Sequence, residues 1–249
     1  MNIKRSLLKF WPIRFCYVAA RYFFLKNISK TNYKYPPKAK IDNLVGSENS
    51  KDTAIQHNSN YFSWNLFCKY KVFFLPEFLG LRSNRLINPM MELPFINKNI
   101  KKLKILSVGP RDEGEIYNLF TKGFEFENIF AVDLFSYSKK IKIGDVHDLD
   151  YPKNFFDIIL SSYTLTYSSN QSLFISNLIK CVKKGGIIAI AVGNYFNNEG
   201  GMKSDYKNYG QFLNLFDEYI DRIYFRNYSE DYFNDENHHH YLLIFKVKK

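Results

Sequence analysis

The stretch Leu103–Asp133 reads LKILSVGPRDEGEIYNLFTKGFEFENIFAVD, and its reading decides the fold. The apolar run from Ile105 to Val108 stops at Gly109-Pro110. An apolar run that short, closed by Gly-Pro, is a buried strand ending in a turn. Asp112, Glu113 and Glu115 then crowd the start of a segment in which Ile116, Leu119 and Phe120 recur at helical spacing. Carboxylates are favoured there because the first amides of a helix point outward unsatisfied. A second apolar run, Ile129 to Val132, ends on Asp133. Strand, turn, helix and a strand with an acid at its tip make half of a nucleotide-binding unit.

The alternation continues downstream. The pattern predicts strands at 104–108, 128–132, 140–143, 156–161, 186–192, 219–226 and 240–248, with helices at 113–122, 171–182 and 211–217. Strands alternating with helices build a mostly parallel sheet covered on both faces. The last two strands are joined by the polar segment Asn227–Asn237, which is too short for a crossover helix, so they pair antiparallel. The expected fold class is α/β: a doubly wound, mostly parallel, seven-stranded Rossmann-like sheet that ends in an antiparallel hairpin and carries an N-terminal helical extension.

Upstream, residues 1–98 read as a basic arm, a linker and a helical cap, and residues 99–249 as the α/β domain. Within 6–26, aromatic residues mix with spaced cations, and Trp11, Phe15, Val18 and Tyr22 recur at helical spacing. Two readings stand: an amphipathic segment on an anionic membrane surface, or a helix packed on the core with its basic side in water. Residues 27–60, with Pro36-Pro37, form a linker or irregular loop. Residues 61–98, punctuated by Pro76, Pro89 and Pro94, cap the edge or mouth of the sheet.

The charge of +11 is unevenly placed. Residues 1–40 hold ten basic side chains and no acid, which leaves 25 of the 35 basic residues against all 24 acids. The body is nearly neutral, which argues against a nucleic-acid-binding core with its own positive face. The apolar stretch from Phe10 to Leu25 carries Arg14 and Arg21 and is shorter than the roughly 20 apolar residues of a spanning helix. Cys16, Cys68 and Cys181 are odd in number and far apart, so they form no disulfide framework. These features suit a cytoplasmic protein, with peripheral contact to the inner membrane face through residues 1–40 as an expectation.

From residue 100 onward the chain resembles class I S-adenosylmethionine-dependent methyltransferases of the small-molecule type. Four stretches carry the resemblance: ILSVGPRDEGE, the strand end AVD, IGDVHDLDYPKNFFDIILSSYTLTY and LIKCVKKGGIIAIAV. The resemblance implies S-adenosyl-L-methionine as cofactor, held by Gly109, Pro110, Arg111, Glu113, Asp133, Leu134, Asp145, Val146, His147 and Ser161. In it Gly109 lets backbone approach the cofactor, Asp133 accepts from both ribose hydroxyls, and Asp145 with the Val146 backbone meets the adenine amine. A helix N-cap remains the plain alternative for Asp133, and a turn residue for Asp145.

The first motif departs from the family pattern. Ser107 stands where the family has an acid that helps hold the amino-acid end of the cofactor, and Arg111 stands at the second glycine position. Glu113 or Glu115 is expected to supply the missing charge to the ammonium, and Arg111 to meet the carboxylate. Catalytic candidates are Tyr163, Tyr167 and His147, with His147 read more simply as a residue ordering its turn. The fourth strand ends in SSYT, without an Asn/Asp-Pro-Pro-aromatic motif or a Pro-Cys nucleophile, so nucleic acid is not expected as a partner. Residues 194–210 read as a lid or an exposed loop, with Gly200-Gly201 as hinge and Tyr195, Phe196, Tyr206 and Tyr209 toward a substrate. His238-His239-His240 alternates faces if extended and is not expected to bind metal. The expected activity is methylation of a small-molecule or glycan-like acceptor. The alternative is a methyltransferase-fold scaffold that binds without efficient catalysis. The sequence says nothing about oligomeric state.

Overall fold

A computed structural model describes residues 11–28, 82–110, 113–134, 138–168, 170–193, 206–228, 230 and 240–248. Within them the chain runs α1 (Trp11–Ile28), α2 (Asn84–Met91), α3 (Pro94–Asn99), β1 (Ile105–Val108), α4 (Glu113–Lys122), β2 (Ile129–Asp133) and β3 (Lys142–Ile143). It continues through β4 (Phe156–Ser162), α5 (Gln171–Cys181), β5 (Val182–Gly193), α6 (Tyr209–Asn214), β6 (Ile220–Arg226) and β7 (His240–Val247).

One seven-stranded sheet has the order β3-β2-β1-β4-β5-β7-β6. The pairs among β1 to β5 are parallel. β7 lies between β5 and β6 and is antiparallel to both. The expected parallel sheet with an antiparallel end is therefore present. That β7 inserts beside β5 is a long-range choice: its run Tyr241–Phe245 is buried throughout, as a strand flanked on both sides must be.

The period-two alternation of strand side chains sorts the core into two layers. Ile105, Ile129, Ala131, Ile158, Leu160, Ala189 and Ala191 face one layer, where α1, α2 and α4 contribute Tyr22, Leu86, Met90, Ile116 and Leu119. Leu106, Val108, Val132, Ile159, Ile188 and Ile190 face the other, against Phe174 and Leu178 of α5 and Phe212 of α6.

Two elements differ from expectation by more than two residues. β5 begins at Val182, not at 186, because Lys183-Lys184-Gly185-Gly186 bulges within the strand: β4 moves from Phe156 to Ile158 while β5 moves from Val182 to Ile187. A Cβ at Gly186 would meet the carbonyl oxygens of Lys183 and Asp157 at 2.8 and 2.9 Å, so the bulge closes only on glycine. The sixth helix occupies Tyr209–Asn214 and not 211–217, because the Asn208 side chain caps it by accepting from the Gln211 amide at 2.9 Å.

The N-terminal segment packs on the core. Tyr22 of α1 is buried, and its ring meets those of Tyr117 and Phe126 nearly edge-on, with centroids 4.9 and 5.4 Å away. Arg21 reaches Glu125 at 2.7 Å and lies over Phe120. Tyr17 and Phe24, one heptad apart on the opposite side, are 41% and 64% exposed. The linker and residues 61–81 lie outside the described residues, while α2 and α3 cover the first core layer as a cap. Among the described residues no helix is long and apolar enough to cross a membrane. Cys16 is exposed and Cys181 buried, both as free thiols.

Candidate cofactor and acceptor site

The site is built where parallel strands end together. Val108 is in register with Val132 of β2 and Ser161 of β4, so the carboxyl tips of β1, β2 and β4 lie side by side. Ligands on open α/β sheets collect at such an edge because the loops diverge there.

Gly109 opens the turn at φ +72°. Its amide donates to the Val132 carbonyl at 2.8 Å, tying the β1 tip to β2. An added Cβ would collide with the side chain of Thr164, whose hydroxyl donates to the Val108 carbonyl at 2.8 Å. The glycine is thus required by backbone conformation and by a side chain from beyond β4, a constraint the sequence did not reveal. Pro110 follows, half-buried. Arg111 lies outside the described residues.

An acid of α4 reaches the buried hydroxyl of β1. Ser107 is fully buried on the face that α4 covers, and its hydroxyl donates to a carboxylate oxygen of Glu115, itself only 7% exposed. Glu113 is committed elsewhere: it accepts from Ser138 at 2.6 Å and from the Tyr22 hydroxyl at 3.1 Å. Of the two acids in the first turn, Glu115 is the one held beneath the β1 tip.

Asp133 ends β2, half-buried, with its carbonyl accepting the Gly144 amide at 3.0 Å. Leu134 beside it is 37% exposed and gives that edge an apolar surface. Asp145 caps the short turn Val146–Asp148. One of its carboxylate oxygens accepts from the His147 amide at 2.8 Å and meets His147 Nδ1 at 2.7 Å. Burial pushes this carboxyl up, but the hydrogen bonds and charge of His147 outweigh it and hold the group below its ordinary value. His147 Nε2 lies 2.7 Å from the Ser168 hydroxyl, and Asn177 of α5 donates to the Val146 and His147 carbonyls at 3.1 and 2.8 Å. Both ring nitrogens of His147 are engaged, so it acts as a strut between two loops, which is its plainer reading.

Ser161 is fully buried at the β4 tip, and its hydroxyl has no partner among the described residues. A buried hydroxyl left unpaired costs about 1–3 kcal/mol, which a bound polar group at this edge would recover. Tyr163 follows at φ +65°, an unusual conformation for a bulky residue, fixed by its amide donating to the Ala191 carbonyl at 2.7 Å. Tyr167 lies on the following turn and is 47% exposed.

Gly109, Asp133, Asp145, His147, Ser161 and Tyr163 thus share one edge. Of the loop aromatics, Tyr206 and Tyr209 do not face a substrate. Both are fully buried, donating to the Gly193 and Leu242 carbonyls at 3.2 and 3.1 Å, because the chain returns to the core before α6. Tyr195, Phe196, Gly200-Gly201, His238 and His239 lie outside the described residues. His240 is the first residue of β7, opposite Gly193. Sequence reasoning missed Thr164, Ser168, Arg82 and Arg85; none sits in a spacing pattern that marks it.

The residues present fit a ligand with a nucleoside and an amino-acid end: carboxylates after β3 and at the end of β2, a glycine turn at the end of β1 and a third carboxylate under that turn. Residues 112–190 match the profile of a methyltransferase domain family. No curated protein matches the chain in sequence. Among solved structures, a Burkholderia thailandensis 1,6-didemethyltoxoflavin-N1-methyltransferase with bound 1,6-didemethyltoxoflavin and S-adenosylhomocysteine is 10% identical, with 80% of this chain and 87% of that one covered at a TM-score of 0.49. An S-adenosylmethionine-dependent methyltransferase from Mesorhizobium loti is 13% identical, with 67% and 98% covered at 0.49. A SAM-dependent methyltransferase from Archaeoglobus fulgidus is 15% identical, with 71% and 99% covered at 0.47. The methyltransferase domain match thus runs from α4 to β5, inside a seven-stranded sheet of parallel strands with an antiparallel end.

Proposed function

We propose that the protein transfers a methyl group from S-adenosylmethionine to a small-molecule or glycan-like acceptor, with the cofactor laid across the tips of β2, β1 and β4. The observation that supports this most is the convergence of Gly109, Asp133, Asp145 and the Ser107–Glu115 pair on one sheet edge. When bound, the cofactor supplies an electrophilic methyl carbon on a positively charged sulfur. In this reading Asp133 accepts from the ribose hydroxyls, Asp145 and the Val146 backbone meet the adenine amine, and Leu134 covers the nucleoside. Acceptor positioning falls to residues after β4, where Tyr163 and Tyr167 lie. Calorimetry of the full chain with S-adenosylmethionine and S-adenosylhomocysteine tests the reading; no binding of either would move the protein to a scaffold role.

Glu115 is proposed to meet the methionine ammonium in place of an acid on β1. Glu115→Gln is expected to weaken S-adenosylhomocysteine binding about 10- to 100-fold, as expected for loss of a charge-assisted hydrogen bond. Binding of 5′-methylthioadenosine, which lacks the amino-acid end, should stay unchanged. An equal loss for both ligands would show that Glu115 serves only the fold.

A second reading concerns the arm. Tyr17 and Phe24 expose aromatic surface on one side of α1, in a stretch holding ten cations and no acid. This supports peripheral contact with an anionic membrane surface. Cosedimentation with phosphatidylserine vesicles is expected, reduced by Phe24→Ser; equal sedimentation with neutral phosphatidylcholine vesicles would count against it.

A further inference from the structure

Two guanidinium groups meet one aromatic ring at the carboxyl end of β4. Arg85, in the first turn of α2, donates from Nη1 to the Tyr163 hydroxyl at 3.2 Å. The Arg82 guanidinium lies over the Tyr163 ring, 5.5 Å from its centroid. Both arginines are exposed while Tyr163 is buried to 7%, so the ring forms a floor and the cations a rim. Among the described residues neither arginine has a carboxylate partner. Arg21, Lys142, Lys183, Arg226 and Lys246, by contrast, each have one. Holding two like charges together without an acid is unfavourable unless an anion completes the arrangement.

The floor is fixed in place. Tyr163 keeps its left-handed backbone, a conformation unfavourable for a non-glycine residue, because the bonds of its amide to Ala191 and of Thr164 to Val108 hold both flanks. The His240 ring meets the Tyr163 ring edge-on at 5.5 Å. Ser162 is in register with Ala191, which is in register with Leu242, so it faces the layer that α2 covers. Its hydroxyl is enclosed and has no partner among the described residues.

We propose that Arg82 and Arg85, with the Tyr163 hydroxyl beside them, bind an oxyanion of the methyl acceptor, so that the acceptor is a small molecule bearing a carboxylate or phosphate. The planar guanidinium fork matches either group with paired hydrogen bonds. The site lies on the β4, β5 and β7 side of Gly109, whereas Asp133 lies on the β2 side. An oxyanion anchored there holds the acceptor across the β1 tip from the nucleoside. The inference deepens the methyltransferase reading and rests on it.

The test uses the full chain with and without S-adenosylhomocysteine. Benzoate and phenyl phosphate are compared with benzamide and phenol by saturation-transfer NMR titration. At least one anion should bind fivefold or more tightly than its neutral partner. The double variant Arg82→Gln, Arg85→Gln should lose that preference while its affinity for S-adenosylhomocysteine changes less than twofold. Equal binding of anion and neutral partner to the wild type would overturn the proposal. So would a tenfold loss of S-adenosylhomocysteine affinity in the variant, which would assign the arginines to the methionine carboxylate. If the wild type binds no S-adenosylhomocysteine but keeps an arginine-dependent anion preference, the oxyanion site stands and the methyltransferase reading falls.

Discussion

Asp133→Ala is expected to remove measurable affinity for both S-adenosylmethionine and 5′-methylthioadenosine. A carboxylate at the end of β2 can accept from two vicinal hydroxyls, and each charge-assisted bond contributes about 1.5–3 kcal/mol. Losing both weakens binding at least about 100-fold, at roughly 1.4 kcal/mol per factor of ten. The loss falls on the nucleoside, so the two ligands should suffer alike, in contrast to Glu115→Gln, where only the ligand with an amino-acid end is affected. Calorimetry of both variants with both ligands separates the roles. Asp133→Asn keeps the shape of the strand end and loses the charge, so it should fall between wild type and alanine. If Asp133→Ala binds 5′-methylthioadenosine as the wild type does, its carboxylate serves the strand end alone.

Gly109→Ala is expected to produce the largest loss of stability among single substitutions at the site. An alanine at φ +72° pays about 1–2 kcal/mol of backbone strain. The new methyl also meets the Thr164 side chain, and overpacking of that kind costs about 1–3 kcal/mol. For a domain of this size each kcal/mol lowers Tm by about 2–4 °C, so the melting point should drop by roughly 5–15 °C. Removing the obstructing atoms tests the cause. In a double-mutant cycle Thr164→Ala should recover about 1–2 kcal/mol of the Gly109→Ala loss, leaving the conformational part. Strict additivity would show that Thr164 is not what excludes a side chain there.

Much of the strand framework was legible in local pattern. Ile105–Val108 and Ile129–Val132 are apolar runs too short for helices, each closed by a turn or an acid, and both became parallel strands. The helix starting at Glu113 was announced by its acidic first turn. Boundaries shifted where turn and cap chemistry overrode periodicity: the Gly185-Gly186 bulge extended β5 toward the N-terminus, and the Asn208 cap made α6 begin earlier. The aromatics Tyr206 and Tyr209 looked available for a substrate because polarity surrounds them in sequence, yet the return of the chain to β7 buries them.

The candidate site divides along the same line. By itself the sequence determined that a strand-turn-helix-strand unit exists and that Asp133 and Asp145 stand at element tips. These follow from period, turn chemistry and residue type, which are local properties. Only the tertiary structure decided that Glu115, and not Glu113, lies under Ser107, because the helical turn points one carboxylate into the core and the other toward Ser138 and Tyr22. It alone brought Thr164 against Gly109 and set Arg82 and Arg85 on Tyr163, across 78 residues of chain in the case of Arg85. Such contacts depend on how the cap and the loop after β4 pack over the same sheet edge. Packing between segments distant in sequence leaves no periodic trace in either one.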